Sequence, residues 1–163
     1  MPTPHLPRLG HALRALLHER RHAALGTLDA AGAPFVSMVP FAIDAAAGRL
    51  VLHISGLAAH TGHMAADPRV ALLVAAAEQD GAPVHELPRV SLAALAATPG
   101  RGSAGWASAR AAYLARFPEA EPMTALGDFR FVALELTGAR QVAGFGTARS
   151  VGADELALLL APD

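Results

Sequence analysis

The sequence predicts an α+β, mostly β fold: an antiparallel barrel with helices inserted between its strands. Two observations carry this expectation. Short runs of β-forming residues are joined by Asp/Gly turns, and helical segments interrupt them without alternating with each one, which argues against a parallel α/β sheet. The length of 163 residues suits one well-buried core, so one domain over 1–163 is expected.

Each element follows from local pattern. Leu9, Leu13, Leu16 and Leu17 recur at helical spacing with Arg14, His18 and Arg20 between them, so Leu9 to Arg21 is an amphipathic helix entered after Pro7. Ala23 to Leu28 is a short strand ended by Asp29-Ala30-Ala31-Gly32. Pro34 to Ile43 is a second strand, Asp44 to Gly48 a turn, and Arg49 to Ile54 a third strand. Short links of this kind predict a three-stranded meander. Ser55 to Thr61 is a loop leading into a short helix to about Ala66, which Asp67-Pro68 ends. Val70 to Ala75 is a buried strand, Glu78 to Pro88 an exposed loop, and Arg89 to Ala97 a further strand. Pro99 to Gly105 connects to a helix over Trp106 to Phe117. Phe129 to Leu136 is a strand, Val142 to Ala148 the last strand, and Ala153 to Leu160 a terminal helix.

Composition narrows the chemistry. Apolar residues make up 53% and charged residues only 17%, against roughly 25% in an average domain. So little charge favours an oligomer, because large apolar patches are uncommon on monomers. A net charge of −1 supplies no electrostatic case for nucleic acid. All thirteen basic residues are Arg, which excludes Schiff-base lysine chemistry and a lysine clamp on phosphate. The absence of Cys excludes disulfides and thiolate sites. Met1 to Pro7 has no basic segment followed by an apolar one, and the apolar run Val70 to Ala77 is too short for a bilayer. No membrane partner and a cytoplasmic location are therefore expected.

Single motifs carry little. His60 and His63 would share a helix face, yet no third ligand stands near, so no metal site is expected. His5, His11, His18 and His22 look like a solvated helix face. No Gly-x-Ser-x-Gly elbow occurs, and Gly144-Phe145-Gly146 lacks the remaining glycine of a dinucleotide fingerprint.

In order and spacing, however, the motifs carry a likeness. Ala23 to Leu28, the Asp/Gly turn and Ala33-Pro34-Phe35-Val36-Ser37-Met38-Val39 look like the opening hairpin of the FMN-binding split barrels. The loop Ser55-Gly56-Leu57-Ala58-Ala59-His60-Thr61, followed by Asp67-Pro68-Arg69-Val70, resembles the haem-utilisation branch of the pyridoxamine-phosphate-oxidase-like superfamily. Tyr113-Leu114, Phe117-Pro118-Glu119-Ala120, Gly127-Asp128-Phe129 and Ala143-Gly144-Phe145-Gly146 fit the same branch.

That resemblance implies a six-stranded antiparallel split β-barrel with flanking helices, a homodimer, and cofactor sites at the dimer interface. It implies an FMN-dependent oxidoreductase acting on a small molecule. Ser37, Ser55, His60 and Thr61 would lie near the phosphate, with Met38, Val39 and Leu57 also at the cofactor, and Arg89 and Phe145 near the ring. No catalytic acid or base is nominated. The chain departs from true pyridoxamine-phosphate oxidases by carrying Ser37, Ala42 and His60 where they place Arg and Lys, so oxidation of pyridoxamine phosphate itself is not expected. Some haem relatives ligate iron through a histidine near the C-terminus, and many continue into an extra small domain; here the last histidine is His85 and no such domain is expected. Two alternatives therefore stand beside FMN. One is haem binding without flavin, through His53, His60 or His63; the other is a dimeric interaction module that has lost its cofactor.

Overall fold

The computed structural model describes residues 5–162. Four helices and eight strands follow in the order α1 (Arg8–Glu19), β1 (His22–Leu28), β2 (Pro34–Pro40), β3 (Ala42–Asp44), β4 (Arg49–Ser55), α2 (Ala59–Ala66), β5 (Arg69–Ala75), β6 (Arg89–Ala97), α3 (Ala104–Arg116), β7 (Phe129–Val142), β8 (Ala148–Val151) and α4 (Ala153–Leu160). All pairings are antiparallel, in the order β2-β1-β5-β6-β7-β4-β3, with β8 on β7. The sheet curls into a split half-barrel flanked by helices, with eight strands where six were expected.

Two local expectations are corrected. The predicted meander is two separate hairpins, because β1–β2 and β3–β4 lie at opposite ends of the sheet order. The predicted strand Val142 to Ala148 is mostly turn: β7 ends at Val142, Ala143 donates to the Thr147 carbonyl at 2.8 Å, and β8 starts at Ala148. β7 itself runs to Val142, past the expected end at Leu136, through a bulge opposite Ala93 and Ala94. Before the bulge it pairs with β4, and beyond it with β8, so the bulge marks the point where one neighbour replaces another.

Turn chemistry sets the first hairpin. The Asp29 carboxylate accepts from the Ala31 and Ala33 amides at 2.9 and 2.8 Å, and Gly32 takes φ +80°, where a side chain would be strained.

Two apolar layers share β4. Leu50, Leu52 and Ile54 face the inside of the curl with Leu13 and Leu17 of α1 and Leu156 and Leu159 of α4. Val51 faces the other way, against Ala109, Tyr113 and Phe117 of the α3 segment and Phe131 of β7. β4 is therefore covered on both sides, which explains its unbroken run of buried residues from Leu50 to Ile54. A polar knot joins this hairpin to α3. Buried Asp44 accepts from Arg49 Nε at 3.0 Å and from Ser108 Oγ at 2.8 Å, while Arg49 also donates to the Gly105 carbonyl at 2.7 Å. Arg116, at the end of α3, donates to the Leu17, His18 and Arg20 carbonyls, closing the C-terminus of α1 and fixing where the chain enters β1.

Candidate functional site

Among the described residues no helix covers the outer face of β1, β2, β5 and β6, where Val36, Met38, Leu73 and Leu95 stand exposed. Small residues occupy its middle, with Gly26 paired to Val36 and Ala71, and Ala71 paired to Ala93. Around them stand Val36 at 68% exposure, Met38 at 66%, Leu73 at 43% and Leu95 at 45%.

At one end of this face lies a groove of about 660 Å³. Its walls are largely apolar: Ala24, Val36, Met38, Leu73, Leu87 and the run Ala75 to Ala77. Its polar groups are Arg20, His22, Ser37 and Glu78. The size falls within the range of sites for organic ligands. A second groove, of about 390 Å³, adjoins it across His22 and Met38, with Tyr113, Phe117 and Met123 on its far side.

Beneath β2, the short helix α2 brings two histidines against the strands. His60 Nδ1 shares a 3.1 Å hydrogen bond with Ser37 Oγ, and His63 Nδ1 a 2.9 Å bond with Thr27 Oγ1. The His63 ring stands edge-on to Phe35 at 5.2 Å. His60 Nε2 is buried and has no partner. Burial, and then the neighbouring charge of His63, hold the His60 pKa below the ordinary imidazole value. Both effects weaken His60 as a cationic partner for an anion.

The loop before α2 also spends its donors internally. Leu57 N donates to Ser55 Oγ at 3.1 Å, Ala58 N to the Ser55 carbonyl at 3.2 Å, and Thr61 N to the Ala58 carbonyl at 3.1 Å. Buried Thr61 sends its hydroxyl to the Ser55 carbonyl at 2.6 Å. Gly56 is required here: a Cβ would come within 2.7 Å of an Arg130 nitrogen and 2.9 Å of the Asp128 carbonyl oxygen.

The residues singled out from sequence are therefore only partly gathered. Ser37 and Met38 line the large groove, and Ser37 joins His60. Ser55 ends β4, Leu57 lies in the loop that follows with its side chain 88% exposed, and Thr61 is buried in the first turn of α2. Val39 turns into the core. Arg89 lines a different groove, beside α1 and Val142, and donates to the His85 and Leu87 carbonyls at 3.3 and 2.9 Å. Phe145 is 84% exposed on the β7–β8 turn. Among the described residues no cluster of three or more metal-ligating side chains occurs, and no helix is long and apolar enough to cross a membrane.

His53, the other histidine considered for iron, is closed off. It lies in an aromatic box, 4.5 Å from the Phe131 ring, 5.2 Å from Phe129 and 5.5 Å from Tyr113. Burial, and then the positive charge of Arg101, lower its pKa. The residues that sequence reading passed over are Arg20 and His22. Helix periodicity and the spacing of the histidines put both on a solvated helix face, but α1 stops at Glu19 and His22 opens β1 on the groove. The Arg20-Arg21-His22 run next to a strand start was the available signal.

Lowered histidine pKa values fix the sign of a pH effect. The unfolded chain takes up protons at His53 and His60 near pH 6.5, before the folded chain does. Their contribution to stability is whole above pH 6.5 and is lost as the pH falls from there to the lower folded values. Urea midpoints measured at pH 7.5 and 5.0 should show the lower stability at pH 5.0. In His53→Phe the gap should narrow.

The family model described as pyridoxamine 5'-phosphate oxidase matches residues 9–143. The chain is 31% identical over 150 residues to heme oxygenase HutZ of Vibrio cholerae, covering 91% of this chain and 84% of that protein. It is 37% identical over 117 residues to the chloroplastic non-canonical heme oxygenase HOZ of Arabidopsis thaliana, covering 72% of this chain and 34% of that one. A heme binding protein from Mycobacterium smegmatis superposes with a TM-score of 0.83 at 28% identity, over 95% of this chain and 62% of the other. The chain thus spans less than two thirds of the mycobacterial protein and about a third of the plant one.

Proposed function

The chain belongs to the pyridoxamine 5'-phosphate oxidase family, in its haem-utilisation branch, and on that premise we propose that it binds haem in the large groove on the outer sheet face. The observation that carries the reading is the groove itself: about 660 Å³ of mainly apolar wall with Arg20 and His22 at its polar side. A flat apolar macrocycle with carboxylate arms and a central iron needs those features together. FMN asks for something else, a cluster of donors around a dianionic phosphate. Ser37 and His60 are spent on each other, and Leu57, Ala58 and Thr61 donate within their own loop. These facts favour haem over flavin.

Haem added to the purified protein should give a saturable Soret band, while FMN should give no saturable change. Saturable FMN binding without a Soret band would reverse the assignment, and neither response would leave a dimeric interaction module. Two relatives are named for haem oxygenation, and we extend that activity to haem bound here as substrate. The Soret band should decay under ascorbate in air and persist under argon.

The same face is proposed to pair with a second copy of the chain. Val36, Met38, Leu73 and Leu95 leave a contiguous apolar surface around Gly26, Ala71 and Ala93, small enough in the middle for two sheets to approach closely. Light scattering at micromolar concentration should give a dimer. Leu73→Arg, at a partly exposed position where the monomer tolerates charge, should give a folded monomer with weakened haem binding.

A further inference from the structure

We propose that His22 ligates the haem iron and that Arg20 holds one of the haem carboxylates, an assignment that rests on the haem reading above. The ligand must be an imidazole that can reach the groove. His53 is boxed by aromatic rings, the one unpartnered nitrogen of His60 is buried, and neither they nor His63 line the groove. His22 is the histidine that lines it; its side chain is exposed and makes no hydrogen bond, ion pair or ring contact among the described residues. It also stands where the large groove meets the smaller one, so a ligand wider than either can lie across it.

Arg20 supplies the second, independent observation. Its neighbour Arg21 is already engaged, with Glu119 at 3.4 Å and over the Phe117 ring at 4.7 Å. Among the described residues Arg20 has no acidic partner and its guanidinium makes no hydrogen bond. A guanidinium on the groove wall whose charge no carboxylate offsets can hold a ligand carboxylate by a charge-assisted bond. Arg20 and His22 are two apart on extended backbone and line the same groove, so one ligand can meet both. Arg116 holds the Arg20 carbonyl and thereby fixes this segment against α1. Glu78 is the one acid among the lining residues, and it is exposed, so solvent screens its repulsion of a carboxylate.

The experiment is a haemin titration of the full chain, followed by absorbance and by electron paramagnetic resonance. Wild type should saturate with the signature of a histidine-ligated ferric haem. His22→Ala should lose that signature, and added imidazole should restore it; circular dichroism checks that the exposed substitution leaves the fold intact. Arg20→Ala should keep the signature but bind about tenfold more weakly, the effect of losing one charge-assisted bond. A histidine signature that survives in His22→Ala, or wild-type haem without one, overturns the His22 assignment while haem binding stands. Unchanged affinity in Arg20→Ala overturns the role of Arg20. Wild type with no saturable Soret band overturns the haem reading itself.

Discussion

Asp44→Ala should lower the free energy of unfolding by about 3 kcal/mol, the low end of the cost of breaking a buried ion pair. Asp44 is 1% exposed and accepts from Arg49, Ser108 and the Ala47 amide. Its removal strands the Arg49 guanidinium, whose side chain is 19% exposed, and leaves the Ser108 hydroxyl without its acceptor. Since small domains have only about 5–15 kcal/mol in total, the loss should show as a large drop in the urea midpoint. Replacing both charges, as Asp44→Ala with Arg49→Met, should recover part of it, because no unpaired charge is then left. If the single and double variants unfold alike, the knot between the β3–β4 hairpin and α3 is not what holds them together.

Phe131→Ala should cost about 3–5 kcal/mol, the range for truncating a large buried aromatic. The Phe131 ring is 1% exposed and lies 4.5 Å from His53, 5.8 Å from Trp106 and 6.0 Å from Tyr113. It sits in the layer beneath α3, and its loss opens a cavity between α3 and the β4–β7 pair. The folded variant should still bind haem, because the large groove is built on β1, β2 and β5. A variant that folds normally but loses haem would move the binding site to the α3 side.

Much of this architecture was legible along the chain. The leucines of α1, the break at Asp67-Pro68, the strand Arg89 to Ala97 and the α3 helix all stand where local pattern put them. What was not legible was partner choice. Asp29 to Gly32 and Asp44 to Gly48 are both good turn sequences, and each does make its own hairpin. Nothing in either turn says that β1 will lie beside β5 and β4 beside β7. The bulge in β7 was hidden for a related reason, since a strand that changes neighbours needs an irregular residue that reads locally as an end. The site was legible in part. The Ser37–His60 juxtaposition joins residues 23 positions apart, and the likeness to a known loop brought both forward. His22 was missed because helix periodicity was carried past Glu19, although extended backbone at Arg20 turns the chain into β1.

The sheet order has a consequence for how the chain emerges from the ribosome. β6 and β4 are not neighbours; β7 lies between them and is hydrogen-bonded to both. Until residues 129–142 have been synthesised, each of those strands keeps one edge of unpaired amides and carbonyls exposed. Such edges recruit strands from other chains. Nascent chains stalled before β7 should therefore be the aggregation-prone ones, and completing this one strand removes two open edges at once.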